Sequence, residues 1–216
     1  MGERELENQA KIVVWGQGTP RTLRVYWALH ELNLDYHVEP IITRTAAMDS
    51  QEFLTVSPGK KIPAIEHDSL TLTESGAITR FLMETYSDEV WTIEQKAKIS
   101  RWSFFALMEI DATALYVIRR HEGLPNIYGE APAAISSSYL YVDRQLDVLN
   151  ELLVDGRSYV VGDKFSEADI HLGSCLIWAR LLKIELPMRV AAYCERLVKR
   201  DAYQQASTAN RMPASL

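Results

Sequence analysis

Apolar residues near the N-terminus follow first a strand-like and then a helix-like spacing. A β-branched run at residues 11–15 predicts a buried strand, which Gly16-Gln17-Gly18 ends. Thr19 then predicts a helix N-cap, because proline occupies the next position and an apolar face recurs every three to four residues until Asn33. Residues 36–42 predict a second strand. Since the crossover contains a helix, the two strands are expected to be parallel.

The next segment contains a proline inside a short apolar run. Residues 43–55 predict a loop with at most one helical turn, and Pro63 then stands within the run 62–65. Proline has no N–H to give to a sheet, so it is confined to strand starts, edges and bulges. A cis bond between Ile62 and Pro63 at the mouth of a strand accommodates it and leaves the Ile62 backbone N–H and C=O facing outward.

Two short strands and a helix follow this proline. Residues 64–67 and 70–73 predict a hairpin joined at Asp68-Ser69, and Glu74-Ser75 opens the helix. The first turn of a helix has free N–H groups and the positive end of the dipole. This helix start is therefore a predicted anion site.

The pattern becomes entirely helical after Ser87-Asp88-Glu89, which predicts a linker. Ser166, with Asp169 three residues later, is a capping-box start for a strongly apolar helix. The first residues of the chain are expected to be a flexible lead-in, and the tail from Ser207 is expected to be loosely ordered. The predicted helices are one long helix at 92–121 and three more at 131–153, 170–182 and 187–200.

This change of pattern predicts two domains. Residues 1–86 form an α/β domain and residues 91–216 form an all-α domain. A length of 216 residues permits two domains, and a hydrophobic fraction of 47% is ordinary for a globular protein.

Composition and charge narrow the function classes. The net charge is −6 and the pI about 5.4, so the basic footprint of a general nucleic-acid-binding protein is missing. Two cysteines, Cys175 and Cys194, are too few for a disulfide scaffold, and their apolar neighbours predict buried free thiols. No apolar run is long enough to predict a membrane span, no targeting pattern opens the chain, and no His/Cys cluster predicts a metal site. These features predict a soluble, cytoplasmic protein that needs no metal.

Residues 56–77 carry a motif with a known counterpart. The run Ser57-Pro58-Gly59-Lys60-Lys61-Ile62-Pro63, followed by Glu74-Ser75, resembles the glutathione-binding half of the glutathione transferases. The family's glycine before the lysine is Lys60 here, and glycine sits one place earlier. The capping-box run at residues 165–170 is similar to the start of a buried core helix in the same family. The resemblance covers both domains, and it implies a thioredoxin-like N-terminal domain followed by a C-terminal helical bundle.

The resemblance implies a glutathione site in the first domain. Ser75 and the N–H groups of its helix would hold the γ-glutamyl carboxylate, with Glu74 near the γ-glutamyl amine. Ile62, before Pro63, would pair with the cysteinyl backbone, and Lys61 would approach the glycyl end. Each residue also has an ordinary interpretation, as a solvated loop lysine, a helix cap or a complement to the helix dipole.

One part of the family's site has no counterpart here. In the phi class the loop before the second helix carries His-Lys, whereas this chain has Met48-Asp49-Ser50. Either another group binds the glycyl carboxylate or the affinity for glutathione is weak.

The group that favours the glutathione thiolate is expected at the start of the first helix, where the family uses tyrosine, serine or cysteine. Tyr26 lies too far inside the helix and this half of the chain has no cysteine, which leaves Thr19 and Thr22. Alignment with the serine-type phi and theta classes puts Thr19 at the serine position. The resemblance therefore implies a serine-type site with threonine substituted. The alternatives are Thr22 as the activating group, or Thr19 as a plain N-cap.

The electrophile is expected to bind against the long helix at residues 92–121. Met108, Ala112 and Tyr116 share one face of that helix at i, i+4 and i+8. A Met/aromatic face suits a loose apolar pocket. The alternative is that this face is simply part of the core.

The resemblance implies a cytosolic glutathione transferase of the detoxification type, with glutathione as co-substrate, an apolar electrophile and a homodimer. A glutathione peroxidase side activity fits the same thiolate. A non-catalytic glutathione-transferase-like binding or ligand-carrier protein is the main alternative, which the threonine-for-serine exchange favours. A thiol-disulfide reductase would need a cysteine at the first helix. An isomerase or dehalogenase would use the same chemistry on another substrate, although the isomerase's Ser-Ser-Cys run is absent.

Overall fold

The computed structural model describes residues 12–212, so the predicted lead-in and Lys11, at the start of the predicted first strand, lie outside this range. Contacts divide the described residues into two compact units. The first contains residues 12–87 and 204–212, and the second contains residues 88–203. The segment from Gln204 onward therefore belongs to the unit that carries the sheet.

The first unit is built on a four-stranded sheet in the order β2-β1-β3-β4. Strands β1 and β2 are parallel, whereas β1–β3 and β3–β4 are antiparallel. The strands are β1 (Ile12–Trp15), β2 (His37–Glu39), β3 (Ala64–His67) and β4 (Leu70–Thr73). The predicted thioredoxin-like order is confirmed, and β2 covers only three residues in the first half of the predicted run 36–42.

Helix α1 (Pro20–Glu31) follows β1 and packs against α3 (Ser75–Tyr86), which follows β4. Thr19 caps α1: its side-chain oxygen accepts a hydrogen bond from the Thr22 N–H, and Pro20 occupies the first helical position. An uninterrupted run of α1 residues from Thr22 to Leu29 is buried. This burial fixes α1 in the core and so fixes the loop that precedes it.

Residues 43–55 contain more helix than the predicted loop with one helical turn. A 3₁₀ turn (Ala46–Asp49) leads into helix α2 (Gln51–Val56), which Ser50 caps by accepting from the Phe53 N–H at 3.2 Å. Phe53 is fully buried against Ile41 and Ile62, so the helix is held by packing on one side. A six-residue helix shows less than two turns of apolar spacing, which is too little for a periodic signal.

The second unit begins with the long predicted helix, and its middle differs from the prediction. Thr92 caps the helix with Gln95 in a capping box, and the helix ends at His121 as predicted. Between α4 (Ile93–Phe104) and α5 (Tyr116–His121) the segment Phe105–Leu115 is π-helical. Buried apolar positions recur every four residues through this stretch and its continuation, at Ala106, Ile110, Ala114 and Ile118, and Asp111 and Leu115 beside them are also buried.

Five further helices follow within the described residues, and α8 is the most buried of them. Asp169 in its first turn is fully buried and accepts hydrogen bonds from Ser166 N–H and Oγ–H, Val160 N–H and Tyr193 Oη–H. The predicted capping box is therefore confirmed, extended by a backbone and a tyrosine donor. The helices are α6 (Pro125–Tyr128), α7 (Pro132–Leu152), α8 (Glu167–Leu181), α9 (Met188–Val198) and α10 (Asp201–Ala209).

The prediction of a loose tail from Ser207 is wrong within the described residues. Helix α10 runs through Ser207 to Ala209, and Asn210 and Arg211 continue with hydrogen bonds to the first unit's own loop. Cys175 and Cys194 are both buried thiols that form no disulfide with each other, as predicted. Within residues 12–212, no helix is long and apolar enough to cross a membrane.

Candidate functional site

The sheet register brings three loops to one edge of the first unit. Trp15, the last residue of β1, lies opposite Ala64, the first residue of β3, and Ala64 lies opposite Thr73, the last residue of β4. The chain that leaves β1, the chain that enters β3 and the chain that leaves β4 therefore meet at the same edge. These three loops carry Thr19, Ile62-Pro63 and Glu74-Ser75 respectively.

The Ile62–Pro63 peptide bond is cis, as predicted, and directly precedes β3. The Ile62 side chain is buried with Ile41 and Phe53, with the partly buried Trp15 packed beside them. Within the described part of the chain, the Ile62 backbone N–H and C=O have no hydrogen-bond partner. A buried side chain with an unpaired backbone is the arrangement that an extended peptide ligand can pair with.

Gly16 brings the loop after β1 into direct contact with Ile62. It has φ of +100°, and a Cβ built at Gly16 would lie 2.5 Å from the Ile62 Cβ and Cγ2 atoms. Glycine is required here both for the backbone conformation and for the space. Its backbone N–H donates to the Glu39 carbonyl at 2.9 Å, which holds the loop to the sheet.

Thr19 and Thr22 form a reciprocal cap at the start of α1. The Thr22 N–H donates to Thr19 Oγ1 at 3.0 Å, and the Thr19 N–H donates to Thr22 Oγ1 at 2.9 Å. The two hydroxyl oxygens lie 3.0 Å apart. Thr22 is fully buried, whereas Thr19 is half-buried and lies at the head of the helix. The Thr19 hydroxyl is therefore the one that a ligand at this sheet edge can reach.

Asn210, after α10, contacts the same cap. Its Oδ1 atom accepts from Thr22 Oγ1–H at 2.6 Å and from the Gly18 N–H at 3.1 Å, and its Nδ2 atom donates to the Thr19 carbonyl at 3.0 Å. Its backbone carbonyl also accepts from the Gly18 N–H, at 3.0 Å. The sequence gives no local signal for this contact, because Asn210 is 191 positions away from Thr19.

The start of α3 retains the features of an anion site. Glu74 is the N-cap residue with φ of +67°, and its side chain makes no capping hydrogen bond to the first turn. Ser75 is nearly buried, and Arg24 of α1, which is 1% exposed, donates from Nη1 to Ser75 Oγ at 3.2 Å. A guanidinium behind the serine adds positive charge to the helix dipole. The sequence alone does not single out Arg24, because it is only one polar position on an otherwise apolar helix.

The two loop lysines have different surroundings. Lys60 adopts φ of +51°, takes the left-handed conformation itself, and forms an exposed ion pair with Asp49. The Lys61 backbone is held by Ser57, whose Oγ accepts from its N–H at 3.2 Å and donates to its C=O at 2.8 Å. The Lys61 side chain is exposed. Lys61, rather than Lys60, is the lysine whose position is set by the turn that leads into Ile62.

Tyr26 is not available as a thiol-activating group. It is fully buried, and its Oη–H donates to the Gly16 carbonyl at 3.1 Å. Burial raises the pKa of Tyr26 well above its usual range. The tyrosine therefore stays protonated and braces the loop on which the threonine cap is built.

Comparison with known proteins gives the family. The model of the glutathione S-transferase N-terminal domain matches residues 10–84, and that of the C-terminal domain matches residues 132–200. The glutathione S-transferase-like protein FUS3 of Gibberella fujikuroi is 30% identical over 166 residues, which is 72% of this chain and 77% of that protein. The chain belongs to the glutathione S-transferase family.

Other relatives support the same family over nearly the whole chain. A glutathione S-transferase of Hyoscyamus muticus is 26% identical over 202 residues, or 87% of this chain and 93% of that protein. The crystal structure of glutathione transferase URE2P6 from Phanerochaete chrysosporium, in complex with oxidised glutathione, matches with a TM-score of 0.83 at 20% identity. The match covers 93% of this chain and 96% of that one, and it shows that the fold is the family's.

The residues predicted to contact an electrophile lie in the second unit of this glutathione S-transferase fold. Met108 is 56% exposed, Ala112 is exposed and Tyr116 is half-buried, whereas the buried stripe of the helix is offset from them by two positions. The alternative that this face belongs to the core of the second unit is therefore wrong. Among residues 12–212, no group of three His, Cys, Asp or Glu side chains is placed to hold a metal ion.

Proposed function

We propose that this chain is a glutathione transferase in which the Thr19 hydroxyl stabilises the glutathione thiolate for attack on an apolar electrophile. The observation that carries the proposal is the arrangement of donors at the threonine cap. Asn210 Oδ1 can only accept, so the proton in its 2.6 Å contact is that of Thr22. Thr22 Oγ1 already accepts from the Thr19 N–H, and the Thr19 hydroxyl proton can turn toward a ligand.

The other predicted residues are assigned to the rest of glutathione. Ser75 and the first N–H groups of α3 bind the γ-glutamyl carboxylate, with Arg24 behind the serine and Glu74 beside the γ-glutamyl amine. The cysteinyl backbone pairs with Ile62 at the cis-Pro63 bend. Lys61 approaches the glycyl carboxylate. This assignment rests on the meeting of all three loops at one sheet edge.

The chemical step needs little besides a positioned thiolate. The glutathione thiol gives its proton to water, and the Thr19 hydroxyl donates a hydrogen bond to the sulfur anion. The sulfur lone pair then forms a C–S bond with the electrophilic carbon, and the leaving group departs with its electron pair. Holding thiolate and electrophile together supplies much of the rate enhancement.

One hydroxyl is enough to lower the pKa of the glutathione thiol. A free thiol titrates near 8.5, so about 3% is thiolate at pH 7. A hydrogen bond to a charged group contributes roughly 1.5–3 kcal/mol, and one pKa unit corresponds to about 1.36 kcal/mol. The thiol pKa is therefore expected to fall by about one to two units. The dipole of α1, whose N-terminus Thr19 caps, acts in the same direction.

The same position supports a serine-type site of the phi or theta kind, with threonine substituted. Relatives named as glutathione S-transferases, and related structures with glutathione bound, support glutathione as the co-substrate. We assign electrophile contacts to the exposed face formed by Met108, Ala112 and Tyr116, so that the α/β domain binds glutathione and the helical domain binds the electrophile. A homodimer, a cytoplasmic location, a role in detoxification and a peroxidase side activity are parts of the same proposal. Sedimentation at the mass of a single chain would contradict the homodimer.

One observation favours a non-catalytic glutathione-binding protein as the second candidate. The loop that carries His-Lys in the phi class has Asp49 here, and Asp49 pairs with Lys60 instead of adding a positive group. Retained glutathione affinity without turnover would identify this second function.

The test is conjugation of glutathione to an activated aryl chloride, with binding measured in parallel by calorimetry. Thr19→Ala is expected to lower kcat/KM by about tenfold or more, with glutathione affinity nearly unchanged. Thr19→Ser keeps the hydroxyl and is expected to stay within a few fold of the native protein. Binding without conjugation in the native protein, across several electrophile classes, would overturn the enzyme and support the binding protein.

A further inference from the structure

The segment that follows α10 makes a dense set of hydrogen bonds with the loop before α1. The Gln17 side-chain amide donates to the Arg211 carbonyl at 2.6 Å, and Gly18 N–H donates to both acceptors of Asn210. Gly18 has φ of +83°, and a Cβ built there would lie 2.5 Å from the Met212 Cγ atom. The tail is therefore in van der Waals contact with the residue that directly precedes Thr19.

We propose that Asn210 is a positioning residue for thiol activation, which fixes the direction of the Thr19 hydroxyl through the backbone and through Thr22. The inference rests on the proposed function of Thr19. Asn210 binds the groups on both sides of the Gly18–Thr19 pair, because it accepts from the Gly18 N–H and donates to the Thr19 carbonyl. Because these two backbone groups are held, the direction of the Thr19 Cα–Cβ bond is fixed.

The contact between Asn210 and Thr22 also sets the direction in which the Thr22 hydroxyl proton points. Without Asn210, the Thr22 hydroxyl can turn its proton to the Thr19 carbonyl, which lies 2.9 Å away, or to Thr19 Oγ1. With Asn210 in place, Thr22 donates to Oδ1 and remains an acceptor toward Thr19. The Thr19 proton is then the one free to reorient toward a sulfur anion.

The orientation of the Asn210 amide is fixed by its partners. Its Oδ1 faces two donors, the Gly18 N–H and the Thr22 hydroxyl, and its Nδ2 faces a carbonyl. A flipped amide would place an oxygen against the Thr19 carbonyl and an NH₂ against the Gly18 N–H. Both contacts would then be repulsive.

The experiment titrates the ultraviolet absorbance of glutathione thiolate bound to the native full chain and to Asn210→Ala, Thr19→Ala and the double variant. Gln205→Ala is the matched control, because Gln205 ties the same helix to His30 at 3.0 Å and does not touch the threonine cap. Asn210→Ala is expected to raise the pKa of the bound thiol by about one unit. The dissociation constant for glutathione is expected to change by less than about threefold, and Gln205→Ala is expected to titrate as the native protein does.

The double variant, Asn210→Ala with Thr19→Ala, distinguishes positioning of the Thr19 hydroxyl by Asn210 from a general loosening of the segment after α10. If Asn210 acts through Thr19, the thiol pKa of the double variant equals that of Thr19→Ala. A further rise in the double variant, or the same rise in Gln205→Ala, overturns the inference and indicates general loosening of the tail. If Asn210→Ala does not fold, Asn210→Leu takes its place, because leucine has a similar size and neither charge nor a hydrogen-bonding group. It is expected to raise the thiol pKa as well, and an unchanged pKa overturns the inference.

The titration of the native protein distinguishes a failure of the role of Asn210 from a failure of the proposed function. A thiol pKa that is lowered in the native protein and unchanged in Asn210→Ala overturns the role of Asn210 and leaves the proposed function intact. A thiol that titrates normally in the native protein overturns the proposed function, and the role of Asn210 with it.

Discussion

Ser75 is the single residue on which the proposed binding of the γ-glutamyl carboxylate depends most. It is the first residue of α3, and its hydroxyl oxygen accepts a hydrogen bond from the Arg24 guanidinium. Ser75→Ala is expected to raise the dissociation constant for glutathione by about tenfold, because one hydrogen bond to a charged group is lost. Isothermal titration calorimetry measures the change.

Ser69 provides the matched control for this substitution. It lies in the exposed turn between β3 and β4 of the same unit, and Ser69→Ala is expected to bind glutathione as the native protein does. Equal affinities for Ser75→Ala and Ser69→Ala would contradict the assignment of the carboxylate to α3.

The sequence could place Thr19 and Ser75 at helix starts because each stands next to a recognisable motif. Threonine before proline and the Glu-Ser pair are both local signals, readable within a few positions. Arg24 and Asn210 could not be predicted, since their roles depend on partners that lie 51 and 191 positions away. A single arginine in an apolar helix and a single asparagine near a chain end have many ordinary interpretations.

At the scale of elements, the contact between the loop after β1 and the cis-proline loop determines the geometry of the site. Gly16→Ala would place a methyl group against Ile62 at a φ that alanine rarely adopts. We expect it to lower the free energy of unfolding by about 1–3 kcal/mol and to weaken glutathione binding, because Ile62 must shift. Urea denaturation followed by circular dichroism measures the first effect, and calorimetry the second.

Gly59 is the control for the loss of a glycine in the same unit. A Cβ at Gly59 would meet no atom within 4 Å. Gly59→Ala is therefore expected to change stability by at most about 1 kcal/mol in either direction. A Gly16→Ala protein as stable as Gly59→Ala would show that the two loops do not constrain each other.

His30 links α1 to α10 and to Tyr36 in a pH-dependent way. Its Nδ1 donates to Gln205 Oε1 at 3.0 Å, so Nε2 accepts from Tyr36 Oη–H at 2.9 Å. Burial lowers the pKa of His30 from its usual 6.5, with the Gln205 hydrogen bond acting against it. As the pH falls below about 6.5, the unfolded state binds the proton first, so stability is present above this pH and is lost below it.

Denaturation midpoints at pH of about 7.5 and about 5.5 test this assignment. The native protein is expected to lose more stability on acidification than His30→Gln, which cannot titrate. A His30→Gln protein with the native pH dependence would contradict the role of His30.

Element prediction succeeded where apolar spacing or caps were long and failed where tertiary contacts decide. The capping box at Ser166 and the long run without glycine or proline at residues 92–121 predicted their helices, whereas α2 and the end of α10 have too few turns to show a period. The π-helical segment Phe105–Leu115 could not be predicted, because a sequence with apolar residues every four positions fits either helix type.

At the scale of the whole molecule, the order of predicted strands and helices was the feature of the sequence that best predicted the fold. A β-α-β unit, a hairpin entered at a proline and a following helix identify the first unit, and the helical remainder identifies the second. The grouping of residues 204–212 with the first unit could not be predicted, because nothing in the sequence links a chain end to one core rather than another. That grouping brings Asn210 to the threonine cap.

Thiol activation by Thr19 is tested most directly by the ultraviolet difference absorbance of bound glutathione against pH, for the native protein, Thr19→Ala and Thr22→Ala. The native thiol pKa is expected to lie about one to two units below that of free glutathione thiol, and Thr19→Ala is expected to restore it to the free value. Thr22→Ala is expected to lose only part of the shift, because the Thr22 hydroxyl is buried and orients the Thr19 hydroxyl instead of reaching the sulfur itself. A bound thiol that titrates normally in the native protein, or one that loses its shift in Thr22→Ala but not in Thr19→Ala, would contradict the account.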